Sequence, residues 1–286
     1  MRTGAKQPAE ADGAREPHTG IEAAHARHGL AGALGLRVLM LKSAIDHTHG
    51  DIHIPEAHMT RTTNARVAGF TFLSYIALGI AVMVLFGRAT NAEGIAAELA
   101  GIAQHASDVR LAVVLSLLTG FAALVLGVSL YSITRDEDPD LAMLALTCRV
   151  GEGVLGAIPV ATLGLLWLAT AQGEADAPDA ATAHALAAFL LKVGGWKTSI
   201  GATLFAVGSM LFSWLLLRGR MIPVALAWLG VLASVLLVVG LPLQLVGVLR
   251  GSVAQLMWLP MAAFEIPFAL WLLIKGVAMS ARRQSA

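Results

Sequence analysis

One carboxylate, Glu265, stands inside the otherwise apolar segment 258–274, with Pro260 and Pro267 on either side of it. A charge at bilayer depth costs roughly 2.5–3.5 kcal/mol on insertion scales, so the position calls for a buried partner or a task. A second pair of charges, Arg149 and Glu152, lies in the apolar run 141–171. Their i, i+3 spacing puts them on one helix face. At about 1.5 Å per residue, Glu152 lies about 16 Å inward of Leu141 and Glu265 about 14 Å inward of Ile274. The three charges can meet near the midplane if their helices are neighbours. Two carboxylates against one guanidinium leave either a surplus negative charge or a retained proton. Two readings follow. The cluster is a ligand-binding or proton-coupling site made of Glu265, Glu152 and Arg149, or it is an ion-pair clamp that only fixes helix packing.

Pro260, Pro267 and Pro159 are the candidate helix breaks. Proline lacks the amide donor and frees a carbonyl four residues earlier, which for Pro260 and Pro267 means Leu256 and Ala263. Freed carbonyls beside a buried carboxylate resemble the broken-helix sites of transporters, although proline also simply bends membrane helices.

The elements that must position these groups are long and apolar. Mean hydropathy is +0.72, with 57% hydrophobic and 14% charged residues, against about 25% charged in soluble domains. Apolar runs of twenty residues or more recur, which defines an all-α polytopic membrane protein. Six spans are expected: 67–87, 111–133, 141–171, and one within each of 186–217, 221–249 and 253–274. The first loop carries Ile95, Leu99 and Ile102 at helical spacing, the pattern of a short amphipathic helix lying at the interface or over the bundle mouth. Glycines recur every seven residues at Gly120 and Gly127, and again at Gly194, Gly201 and Gly208. Such stripes let membrane helices approach closely. Lys192 and Lys197, near the start of the fourth span, are expected to snorkel to the surface rather than face a cavity. Gln244 and Gln255 are expected as interhelical hydrogen-bond partners.

With the N-terminus inside, Arg61, Arg66, Arg135, Arg218, Arg220, Lys275, Arg282 and Arg283 fall on the cytoplasmic side. The outer side receives Arg88, Arg110 and Arg250, joined by Lys192 and Lys197 if both lie near that surface. This asymmetry places both termini in the cytoplasm and the protein in a cell membrane. The chain therefore divides into a polar tail at 1–59, a six-helix domain at 60–277 and a short basic tail at 278–286. The first tail holds seven of the nine histidines, and its low apolar content reads as disorder. Within it, Asp46–His58 carries four histidines and three carboxylates at spacings that match no strong zinc pattern. Met59 is an alternative start.

Several classes have no support. Basic residues are dispersed, so no nucleic-acid partner is indicated. The single cysteine, Cys148, excludes an internal disulfide. No nucleophile elbow, phosphate loop, dinucleotide fingerprint or metalloprotease motif occurs, so neither a cofactor nor a metal nor an enzymatic activity is indicated. The lipid bilayer is the one partner that composition names; a small-molecule or ion ligand and the oligomeric state stay open.

Three pieces, Arg61–Tyr75, Cys148–Glu152 and Glu265–Gly276, together with Leu211–Gly230, resemble the bacterial family termed domain of unknown function 4386. The resemblance covers about residues 61–277. It implies a multi-pass protein of the bacterial cytoplasmic membrane and no assigned chemistry. It maps the family's charged elements onto Arg149, Glu152 and Glu265. The histidine-bearing tail departs from the pattern.

Overall fold

Each long apolar run becomes a helix in the computed structural model, which describes residues 61–171 and 177–278. The tail at 1–59 with its histidine segment, Met59, the acidic pair Glu174 and Asp176, and residues 279–286 lie outside the described residues. Nine helices follow in order among the described residues. They are α1 (Arg61–Thr90), α2 (Ile95–Gln104), α3 (Ala106–Thr134), α4 (Pro139–Gly156) and α5 (Val160–Thr170), followed by α6 (Ala180–Arg218), α7 (Val224–Leu245), α8 (Ser252–Leu256) and α9 (Leu259–Ile274). Six segments are long and apolar enough to cross a membrane, with α4–α5 and α8–α9 each forming one broken crossing.

The crossings pack in chain order around a closed ring: α1 on α3, α3 on α4, α4 on α6, α6 on α7, α7 on α9, and α9 back on α1. Each presents a small or apolar stripe inward at three- and four-residue spacing. On α4 the stripe is Ala142, Ala145, Arg149 and Glu152; on α9 it is Met261, Glu265, Phe268 and Leu272. The charges therefore occupy positions that helical periodicity assigns to the interior. Outward positions stay apolar and exposed, as at Phe70, Phe121, Leu232 and Ile274. A water-soluble bundle would not leave such a surface bare; a lipid-facing one must.

Glycines set the closest approaches. A Cβ on Gly69 would stand 2.7 Å from the Ala269 carbonyl oxygen, and one on Gly120 would stand 2.6 Å from the Ala157 Cβ. These are the seams of α1 with α9 and of α3 with α4. In the heptad stripe of α6 the positions differ. Gly208 seats the Arg149 stem, whereas Gly194 and Gly201 meet their nearest side chains only at 3.8 and 3.9 Å.

Helix ends follow local chemistry. Asp138 caps α4, accepting from the Leu141 amide at 3.2 Å with Pro139 in the first turn. Asp179 caps α6, accepting from the Thr182 amide at 2.9 Å and the Thr182 hydroxyl at 3.0 Å. Those bonds, the amide first, hold its carboxyl below the usual carboxylate range. The turn after α6 is tight because a Cβ on Gly219 would meet the Met221 Cε at 2.7 Å, while Arg220 takes the left-handed conformation at φ 49°.

The prolines act unequally. Pro159 stands between α4 and α5, and Pro260 lies in the first turn of α9, just past the break at Met257–Trp258. Pro267 corrects the expectation of a third break: α9 runs through it without interruption. Phe264 and Phe268 stack around it at 5.0 Å, and Phe264 fills the space over Gly230, so packing supports the helix across the lost donor. The first-loop helix α2 forms around Ile95, Leu99 and Ile102, and of its two expected settings its packing matches the one over the bundle. Leu99 and Ile102 are buried in a second core cluster with Val109, Leu165 and Ala187, so α2 plugs one end of the bundle.

Candidate functional site

The inward stripes enclose a cavity of about 480 Å³, with walls from α1, α3, α4, α6 and α9. Tyr75, Ser116, Thr119, Glu152, Lys197, Thr198, Trp258 and Glu265 supply its polar groups, and Ile76, Ile80, Met83, Leu155 and Phe205 much of its apolar wall. Ile80 and Met83 are themselves exposed and stand at its rim. Gly79 and Gly156 also line it, and a Cβ on either would meet open space.

Arg149 is 2% exposed and sits behind the wall. Its guanidinium lies between two rings, 5.3 Å from the centroid of Tyr75 and 5.1 Å from that of Phe205. Its Nη1 is 2.9 Å from Glu152 Oε2, yet no guanidinium N–H is aimed at an acceptor with hydrogen-bond geometry. The pair is held by charge, and the two rings replace the missing donors' partners with cation–π contacts, worth up to about 2 kcal/mol where water is excluded. Gly127 and Gly208 make room for the stem: a Cβ on either would press Arg149 at 3.1 or 3.2 Å.

The other oxygen of Glu152 accepts from the Tyr75 hydroxyl at 2.5 Å. Since α1 and α4 are not neighbours in the ring, this bond crosses the interior. Tyr75, Glu152 and Arg149 thus form one chain of contacts linking α1, α4 and, through Phe205, α6.

Glu265 is different. Spans three and six are not adjacent, and no hydrogen bond or ion pair joins Glu265 to Arg149 or Glu152 among the described residues. Both still act on it electrostatically. Its Oε1 is buried with no hydrogen-bond partner, on a side chain that lines the cavity. The three candidate charges therefore share one interior but divide into a bonded pair and a separate carboxylate.

Two contributors were not among the candidate site residues. Tyr75 is one of only two tyrosines in the chain, a rarity that offers a signal for a polar role inside a span. Lys197, expected to snorkel, instead donates to the Ile158 carbonyl at 3.0 Å and lines the cavity. Ile158 stands at the α4–α5 break, so the lysine supplies a donor where the helix ladder is interrupted. Gln244 and Gln255 make no side-chain hydrogen bond among the described residues; with Arg250 they line a shallow hollow at one end of the bundle. No cluster of three or more His, Cys, Asp or Glu able to hold a metal occurs among the described residues. Cys148 is buried, and burial pins it as part of the packing.

Six apolar crossings with outward apolar faces and an interior that holds charge define a helical, multi-pass integral membrane protein. Its environment is the lipid bilayer. The chain belongs to the family described as domain of unknown function (DUF4386), whose model matches residues 67–276, from the second turn of α1 to just beyond α9. No curated protein and no solved structure shows a significant match to it.

Proposed function

We propose that this protein is a small permease-like membrane protein that binds a solute in the ring cavity, with Glu265 as the group that meets it. The observation that carries this reading is a cavity of about 480 Å³ with a buried, unpartnered carboxylate oxygen in its wall. That volume falls in the range of sites that enclose small molecules. Arg149, Glu152 and Tyr75 act as the support that fixes the wall, and both termini lie in the cytoplasm. In a purely structural protein the same interior is expected to close, since an unfilled, partly polar cavity costs packing without return. The contact chain from Tyr75 through Glu152 to Arg149 favours a second reading for those three residues alone, as a packing clamp across the ring.

The single cysteine permits a direct test. Cys148→Ala supplies a thiol-free background, into which Thr119→Cys on the cavity wall and Ala278→Cys beyond α9 are placed separately. Membrane-impermeant maleimide is applied from each side of sealed vesicles of known orientation. Ala278→Cys should react only from the cytoplasmic side. Thr119→Cys should react from at least one side, and from both in different fractions of a cycling permease. No reaction of Thr119→Cys from either side, with folded protein present, removes the solute-cavity reading.

A further inference from the structure

We propose that the ligand of this cavity is an amphipathic organic cation, an ammonium carried on an apolar or aromatic body, with its charge seated against Glu265. The inference rests on the solute-cavity reading above and adds the chemical class. Four charged groups surround the cavity, and three have partners within the protein. Arg149 faces Glu152 at 2.9 Å, Glu152 also accepts from Tyr75, and Lys197 donates to Ile158. Among the described residues Glu265 has neither hydrogen bond nor ion pair, and its Oε1 is closed off from water by the bundle. The four charges sum to zero, but Lys197 is bonded to a neutral carbonyl and not to Glu265, and a carboxylate with no direct partner in low dielectric attracts a positive charge: a proton or a ligand cation.

The walls select between ligand cations. A hard metal ion takes six or more oxygen ligands. The cavity wall carries Ile76, Ala202, Phe205 and Trp258, and the Trp258 ring stacks on Phe205 with centroids 6.4 Å apart. The wall's hydroxyls, Ser116, Thr119 and Thr198, each donate to a carbonyl of their own helix. Aromatic faces and aliphatic walls suit the body of an organic ammonium, which also gains from cation–π contact. Lys197 lies two turns outward of Phe205 along α6, about 12 Å away, so the one cation on the wall stands at the other end from the ligand's charge. Exposed Ile80 and Met83 at the rim offer an apolar approach for such a body.

A proton competes for the same oxygen, so occupancy depends on pH. Of the helices packed on α9, α1 brings Tyr75 and α7 brings no ionisable side chain. Across the cavity stand Glu152 and Arg149 from α4 and Lys197 from α6. Binding of the cation releases the proton from Glu265, and protonation of Glu265 releases the cation.

Purified full-length protein in detergent is tested with radiolabelled 2-phenylethylammonium against the uncharged 2-phenylethanol. Saturable binding of one cation per chain is expected, at least tenfold tighter than the alcohol, and weakening as pH falls. Glu265→Gln should lose tenfold or more, while Glu265→Asp should retain part of the affinity. Gly79→Leu keeps every charge and fills the cavity where a Cβ meets open space, so it should abolish binding even if Glu265→Gln proves unstable. Equal binding of cation and alcohol, unchanged affinity in Gly79→Leu, or stabilisation by sodium or magnesium chloride with no effect of the organic cation would each overturn the proposal. A cavity that labels at Thr119→Cys yet ignores the cation would remove the cation and leave the solute cavity standing.

Discussion

Replacing Tyr75 with Phe deletes one hydroxyl and keeps the ring, so the contact with Arg149 at 5.3 Å survives while the 2.5 Å bond to Glu152 is lost. What remains is a carboxylate oxygen in a residue 8% exposed, with no donor in reach. Hydrogen bonds to charged groups contribute roughly 1.5–3 kcal/mol in soluble proteins. Interhelical hydrogen bonds in membranes average about 0.6 and reach about 1.7 kcal/mol, because the unfolded chain also finds partners there. The Glu152 bond belongs near the top of that membrane range. Its acceptor already faces Arg149, and it joins α1 to α4, which are not neighbours in the ring. The expected loss is about 1.5–2 kcal/mol, a ten- to thirtyfold shift in the unfolding equilibrium. The assay is reversible unfolding in mixed micelles, run as a double-mutant cycle with Glu152→Leu, which removes the accepting oxygen. The coupling energy should nearly match the single-mutant loss. A parallel cycle with Glu265→Gln should be additive within about 0.5 kcal/mol, since no bond joins Glu265 to Tyr75. A Tyr75–Glu152 coupling below about 0.5 kcal/mol would refute the idea that this bond braces the ring.

Two glycines on neighbouring helices should answer oppositely to alanine. Gly120→Ala forces a methyl to 2.6 Å from Ala157 Cβ and should cost about 1–3 kcal/mol by spreading α3 from α4. Gly201→Ala first meets Leu155 Cβ at 3.9 Å and should be neutral or stabilising by up to about 1 kcal/mol in the same unfolding assay. At the α6 cap, the Asp179 carboxyl is held below its usual value by the Thr182 amide. Its capping contribution is therefore complete above the unfolded value near 3.9 and is lost as pH falls through the lower folded value. Amide-exchange protection at the start of α6, taken relative to the intrinsic rate at each pH, should be flat from about pH 5 to 8 and fall below about pH 4. Asp179→Asn, which keeps the accepting oxygen, should remove that acid limb.

The number of crossings was readable from the chain because it depends on a local quantity: the length of an apolar run decides whether a segment can cross. That a helix forms in the first loop was readable too, from the spacing of Ile95, Leu99 and Ile102. Which of its two settings it takes was not, because Leu165 and Ala187, which bury Leu99 and Ile102, are more than sixty residues away.

By itself the sequence determined an all-α membrane chain with six crossings, glycine stripes on the second and fourth of them, and three charges inside the third and sixth. These follow from hydropathy and from the 3.6-residue period, which need no knowledge of neighbours. Only the tertiary structure decided which charges pair. The ring order sets α1 and α6, rather than α9, beside the Arg149 side chain. The guanidinium is therefore taken up by Glu152 and two rings, and Glu265 faces the cavity alone. Tyr75 and Lys197 became polar cavity residues for the same reason. A hydroxyl or an ammonium on an apolar helix declares its role only when the acceptor on another helix, Glu152 or the Ile158 carbonyl, is brought within 3 Å. Pro267 shows the converse: its covalent chemistry predicts a break, and the stacking of Phe264 on Phe268 overrules it.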